Sequence, residues 1–275
     1  MTASHDRLAR FLGTHPAVAL ITITRARGST PREEGAWMVV SDSATLGTIG
    51  GGALEFMAID RAREALAGTV VADSMDVPLG PEIGQCCGGR VELSIRLMDD
   101  TAKEMLLETA RRADETMPHV LIFGGGHVGH ALATAFALLP VRTSVIDTRA
   151  DALEDMPATT VTRLTAVPEE EVRAAPPGSA FMVLTHDHAL DFLIVAQALR
   201  RDDAAYVGMI GSATKRATFR SWYLREAGGD EARLSRLVSP IGGTSVRDKR
   251  PAVIAALAAA EVIVALAGAG HASLD

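Results

Sequence analysis

The feature that most constrains this chain is the turn Gly124-Gly125-Gly126-His127-Val128-Gly129, which directly follows the apolar run Val120-Leu121-Ile122-Phe123 and opens an apolar helical stretch over residues 128–139. A G-x-G-x-x-G spacing carries meaning mainly in this strand-to-helix setting. There the glycines allow a tight turn and close approach of backbone to a pyrophosphate, while the helix start offers unpaired N–H groups and a partial positive charge. Asp147 closes the next predicted strand, 142–147, about 20 residues further on, where an acidic side chain would accept hydrogen bonds from a ribose 2′-OH. Arg149 beside it leaves a 2′-phosphate open. The same glycines would also serve strand–helix packing with no nucleotide bound.

From residue 118 onward, predicted strands and helices follow one another. They are 119–123, 128–139, 142–147, 160–164, 169–174, 180–185, 189–200, 206–210, 214–227 and 233–238. That pattern predicts a doubly wound parallel sheet of the Rossmann type. Thr185-His186-Asp187-His188 then falls at the C-terminal end of the fourth strand, where such sheets bind ligands. His186 and His188 are candidates to line the crevice, with Asp187 as a helix cap. A metal site would need a second His/Asp cluster at ligand spacing, and none is seen. Gly211-Ser212 with Lys215 and Arg216 places a helix start and two cations after the fifth strand, suited to a phosphate or to an ordinary capped helix with solvated cations.

The first part of the chain predicts a small mixed α/β domain. Its helices are 6–12 and 53–67, and its strands are 17–24, 37–40, 45–49, 69–75 and 91–95, with a loop over 76–89. An amphipathic helix, 101–115, stops at Met117-Pro118. The expected division is therefore an N-terminal domain over 1–100, a linker helix over 101–117 and a Rossmann-type domain over 118–275. With 275 residues, 48% of them apolar, there is enough to build two cores. A net charge of −7 argues against nucleic acid or an anionic membrane as partner and favours a small molecule. Residues 1–10 lack the apolar core of a secretory signal, so a cytoplasmic protein with reduced thiols is expected. The segment 251–270 is apolar except for Glu261, a charge costing about 2.5 kcal/mol or more in a bilayer, and a buried or interface helix is the expectation.

Three loops in this first half carry more chemistry than its strands: Arg27-Gly28-Ser29-Thr30-Pro31-Arg32, Gly47-Thr48-Ile49-Gly50-Gly51-Gly52 running into Ala53-Leu54-Glu55, and Gly84-Gln85-Cys86-Cys87-Gly88-Gly89. Gly50, Gly51 and Gly52 before a helix would present N–H groups to an anion, with Thr48 as a hydroxyl donor and Arg27 or Arg32 as counter-charge. Cys86 and Cys87 are the only cysteines. Their adjacency makes a mutual disulfide strained, and between glycines a thiolate could reach a soft metal or a sulfur centre. A buried small pair in a tight turn is the alternative.

Taken in order, these loops resemble the XdhC/CoxI family of accessory proteins for xanthine dehydrogenase and related molybdenum hydroxylases. The resemblance is carried further by the 124–129 loop, Thr185-His186-Asp187, Gly208-Met209-Ile210-Gly211-Ser212 and Ser239-Pro240-Ile241-Gly242. After Gly242 the chain departs from the family's usual Thr-Pro pair and reads Gly243-Thr244-Ser245-Val246-Arg247. The resemblance implies a chaperone that binds the molybdenum cofactor (molybdopterin), protects it during sulfuration by a cysteine desulfurase and passes it to the apo-dehydrogenase, commonly as a homodimer. It also implies that Gln85, Cys86 and Cys87 face the cofactor, the cysteines toward molybdenum, with Gly50, Gly51, Gly52 and Glu55 nearby. Gly124, Gly126, Gly129, Asp147, His186, Asp187, Ser212 and Lys215 are the candidates in the second half. The competing reading is an NAD(P)-dependent oxidoreductase built on the 124–129 loop and Asp147, with His186 or His188 as acid or base. A hydride-transfer enzyme has no need of Cys86-Cys87.

Overall fold

The computed structural model describes residues 4–71, 73–80 and 88–270. The chain divides into two compact units, Met1–Glu115 and Thr116–Asp275.

The first unit is built from α1 (His5–Thr14), β1 (Ala19–Arg27), β2 (Trp37–Val40), β3 (Thr45–Gly47), α2 (Gly52–Leu66), β4 (Ser74–Pro78), β5 (Arg90–Leu97) and α3 (Asp100–Glu115). Its five strands form an antiparallel sheet in the order β3-β2-β1-β5-β4. Alternation along β1 assigns its two faces. Ala19, Ile21 and Ile23 join Leu54, Ala58 and Ala62 of α2, whereas Leu20 joins Val39 in the cluster formed with Leu8 and Leu12 of α1 and Ala110 of α3. Helix α3, expected as a linker, lies within this unit, and the His5 N–H donates to an Asp114 carboxylate oxygen at 2.9 Å.

The strand expected at 69–75 starts only at Ser74 and runs on to Pro78, three residues into the expected loop. The reason is local. Both the N–H and the hydroxyl of Thr69 donate to the Glu64 carbonyl, at 3.0 and 2.8 Å, extending the end of α2, while Gly68 adopts a left-handed φ of 73°.

The second unit contains β6 (His119–Phe123), α4 (His127–Phe136), β7 (Arg142–Asp147), a single 3-10 turn (Asp151–Leu153), β8 (Thr160–Leu164), α5 (Pro168–Ala174), β9 (Ala180–Val183), α6 (His188–Leu199), β10 (Tyr206–Met209), α7 (Ala213–Arg225), α8 (Glu231–Leu234), β11 (Leu237–Val238) and α9 (Pro251–Gly268). All of its strand pairs are parallel, in the order β11-β10-β9-β6-β7-β8, so the doubly wound sheet is as expected. The central strands are apolar on both faces because helices cover both. Val120 and Ile122 pack with Leu132 of α4 and Val262 of α9, while Leu121 and Phe123 pack with Ile194 of α6 and Phe219 of α7. The stretch expected as one element at 233–238 divides into α8 and β11, because the Asp230 carboxylate accepts the Arg233 N–H at 2.8 Å and starts a helical turn.

Among the described residues α9 is the one helix long and apolar enough to cross a membrane. Its charge has an internal use here. Glu261 accepts the Tyr206 hydroxyl at 2.8 Å and the Gly242 N–H at 3.0 Å. Burial first, and then this carboxylate, push the Tyr206 hydroxyl well above the ordinary phenol range.

Candidate functional site

Antiparallel pairing collects the first unit's loops at one sheet edge. Arg27 at the end of β1 is in register with Arg90 at the start of β5, Arg90 with Pro78 at the end of β4, and Met38 of β2 with Gly47 at the end of β3. Helix α2 starts at the same edge, five residues on from Gly47. Close backbone approach then welds the loops together. A Cβ on Gly89 would fall 2.2 Å from the Ser29 carbonyl oxygen and 2.8 Å from that of Arg27, and one on Gly50 would fall 2.4 Å from Cγ of Pro31. Only glycine permits either contact. Leu79 donates its N–H to Gly89 and accepts that of Gly88, both at 2.8 Å, pairing the residues on either side of the cysteine-bearing segment. Gln85, Cys86 and Cys87 themselves lie outside the described residues.

The amides expected to face an external anion have an internal one. One carboxylate oxygen of Glu55 accepts the Thr48 hydroxyl, the Ile49 N–H at 2.9 Å and the Gly50 N–H at 3.2 Å. Burial alone would raise its pKa, but the bonds from Thr48, Ile49, Gly51 and Gly50 hold it below the usual carboxylate range. Charges at this edge are paired in the open. Arg90 grips Asp76 in bidentate fashion at 2.6 Å, and Arg27 lies 3.6 Å from Glu92. Sequence reasoning missed Phe56 and Met57, 70% and 40% exposed, in the first turns of α2. The signal was present, since both fall off the Leu54/Ala58/Ala62 face that packs on the sheet.

In the second unit the switch point lies between β6 and β9, the central neighbours from which the chain winds in opposite directions. The 124–129 loop fits its spacing. Gly124 has φ +117° and lies against the Leu184 carbonyl, and a Cβ on Gly129 would stand 2.0 Å from the Gly124 carbonyl oxygen, so the third glycine lets α4 press onto β6. Gly126, just before α4, has nothing within 4 Å of where a Cβ would stand. Asp147 turns inward. Its carboxylate accepts the Gly125 N–H at 2.8 Å, the Arg149 N–H at 3.0 Å and two guanidinium N–H groups of Arg149 at 3.2 Å. Burial opposes ionisation of this carboxyl, yet those donors keep its pKa below the ordinary value.

His186, Asp187 and His188 are exposed, and Asp187 caps α6 by accepting the N–H groups of Ala189 and Leu190 at 2.8 and 3.4 Å. Ser212 caps α7 through the Lys215 N–H at 3.3 Å. The Lys215 ammonium is paired internally with Asp191, the two side chains being 8% and 0% exposed. Asp191 also accepts the Thr185 N–H at 2.9 Å and its hydroxyl at 2.7 Å. Asp191 escaped sequence reasoning because it reads as one more polar residue inside a helix, and its partner Lys215 lies 24 positions away. Among the described residues no group of three or more His, Cys, Asp or Glu side chains is placed to hold a metal ion.

Comparison with known proteins adds to this geometry. Residues 120–262 match the family model described as the XdhC Rossmann domain, and residues 12–72 match that of the XdhC and CoxI family. A protein of Escherichia coli (strain K12), described as uncharacterized protein YqeB, is 27% identical over 263 residues, which are 89% of this chain and 43% of that protein. The chain thus spans less than half the length of this curated relative. A solved structure described as a xanthine dehydrogenase from Bacillus halodurans is similar with a TM-score of 0.80, over 97% of this chain and 96% of that one, at 19% identity, which shows a shared fold.

Proposed function

The chain belongs to the XdhC and CoxI family, and from that premise we propose that it is an accessory protein of xanthine dehydrogenase or a related molybdenum hydroxylase, one that binds the molybdenum cofactor, holds it during sulfuration and delivers it. The observation that carries this reading is the meeting of three glycine loops at one edge of the antiparallel sheet, with the chain's two cysteines on the segment that Leu79 and Gly88 bracket. The donor types suit the group. Thiolates are soft ligands matched to a sulfur-bound metal, and the exposed Arg27 and Arg90 offer cations to an anionic ligand. When bound, the cofactor supplies the metal and its dithiolene. The chain's part in this proposal is to grip and shield them, with Cys86 and Cys87 toward the metal and Gln85 beside them. A cysteine desulfurase and the apo-dehydrogenase are the proposed partners, and a homodimer the proposed assembly.

The second unit supports a dinucleotide reading through its strand order and its 124–129 loop. The enclosure of Asp147 argues against it, because the ribose-binding carboxylate of such a site has to face the ligand. A transfer assay separates the two. Cofactor-loaded protein mixed with cofactor-free xanthine dehydrogenase should restore activity faster than free cofactor does. No acceleration, together with substrate-dependent oxidation of NADH or NADPH by the protein alone, would replace the chaperone with an oxidoreductase.

A further inference from the structure

We propose that Glu55 is a positioning residue: its carboxylate is the resident anion of the 48–51 turn, and by holding that turn it fixes the loop edge of the first unit and closes those amides to an external phosphate. Successive N–H groups directed at one point form an anion-binding concavity. In this chain the occupant comes from four residues further along. Gly50 and Gly51 adopt φ values of +128° and +80°, a left-handed path that turns consecutive amides inward, toward one Glu55 oxygen. Gly51 precedes α2 and offers no side-chain cap, and Glu55, reaching back from the first turn of the helix, accepts instead the amides of the turn that leads into it.

The consequence travels through close contacts at two glycines. Gly50 lies against Pro31, and the Ser29 and Arg27 carbonyls lie against Gly89. Gly89 in turn accepts the Leu79 N–H. Glu55 is thus linked, contact by contact, to Gly89 and Leu79, the residues that flank positions 80–88. The importance of this for cofactor handling rests on the function proposed above, whereas the occupancy of the turn by Glu55 does not. A phosphate-bearing ligand at this edge has to find its counter-charge elsewhere, and the exposed guanidinium groups of Arg27 and Arg90 beside the loops can supply it.

Because Cys86 and Cys87 are the only thiols, the rate of their reaction with a chromogenic disulfide reports on that segment alone. Glu55→Ala should change the rate by about tenfold or more, the scale of one lost charged hydrogen bond. Added acetate or inorganic phosphate should return it toward the wild-type rate by entering the vacated turn. Glu55→Gln, which keeps an acceptor oxygen, should remain within about twofold of wild type, and wild type should not respond to either anion. Should Glu55→Ala fail to fold, Thr48→Val, which removes one donor, should shift the rate by a smaller factor. Wild-type kinetics in Glu55→Ala without an anion response, or in Thr48→Val where Glu55→Ala is unfolded, would overturn the proposal, as would an equal anion response in wild type. None of these readouts involves the cofactor, so a protein that rescues with acetate yet never binds cofactor would overturn the proposed function and leave the role of Glu55 standing.

Discussion

Four hydrogen bonds converge on the Asp147 carboxylate, and none of them requires a ligand. The position of this residue at the end of β7 was legible in the sequence, but its orientation was not, since spacing alone cannot say whether a strand-end carboxylate faces a ligand or its own loop. Asp147→Asn should cost about 1–3 kcal/mol at neutral pH by removing charge from a buried, fully bonded group. The folded carboxyl ionises below its unfolded value of 3.8. Its contribution is therefore present above that value and is lost as pH falls through the depressed folded pKa. Urea unfolding of both proteins should show a gap at pH 7 that narrows toward about pH 3. A gap of the same size at both would contradict the role. Glu55 teaches the same lesson from the other unit, because the glycines that read as an open anion site are filled from within.

Among the elements, the buried parallel strands were the most legible. Val120-Leu121-Ile122-Phe123 and Ala180-Phe181-Met182-Val183 are apolar without interruption, as strands covered on both faces must be. Failures came where a single polar side chain decided the backbone, as Thr69 did after α2 and Asp230 before α8. The junction of α6 and α7 was least legible, because its contents depend on tertiary contact. Asp191 on α6 and Lys215 on α7 form an ion pair away from water that also ties down Thr185, two residues past β9. Lys215→Met should destabilise the second unit by about 3–5 kcal/mol, since it leaves the Asp191 charge buried without its cation. Replacing both residues, as Asp191→Leu with Lys215→Met, should recover much of the loss. Equal unfolding midpoints for Lys215→Met and wild type would mean that the pair does not hold the junction.

At the scale of the whole molecule, the order of motifs along the chain gave more than any one motif. The 124–129 loop in isolation points to a dehydrogenase. Set beside the loops that meet through Gly50 and Gly89, and beside a cysteine pair for which hydride transfer has no use, it is one motif among several, and the proposed chemistry lies with the first unit. That convergence was not readable from sequence, since it arises from antiparallel register and from glycine contacts that set residue 50 against 31 and residue 89 against 29. The proposed hold of this edge on the molybdenum cofactor through Cys86 and Cys87 is tested most directly by the molybdenum content of the protein after incubation with cofactor and gel filtration. Wild type should retain the metal, with Cys86→Ser or Cys87→Ser losing part of it and the double variant most of it. Equal molybdenum in wild type, both single variants and the double variant would contradict the account.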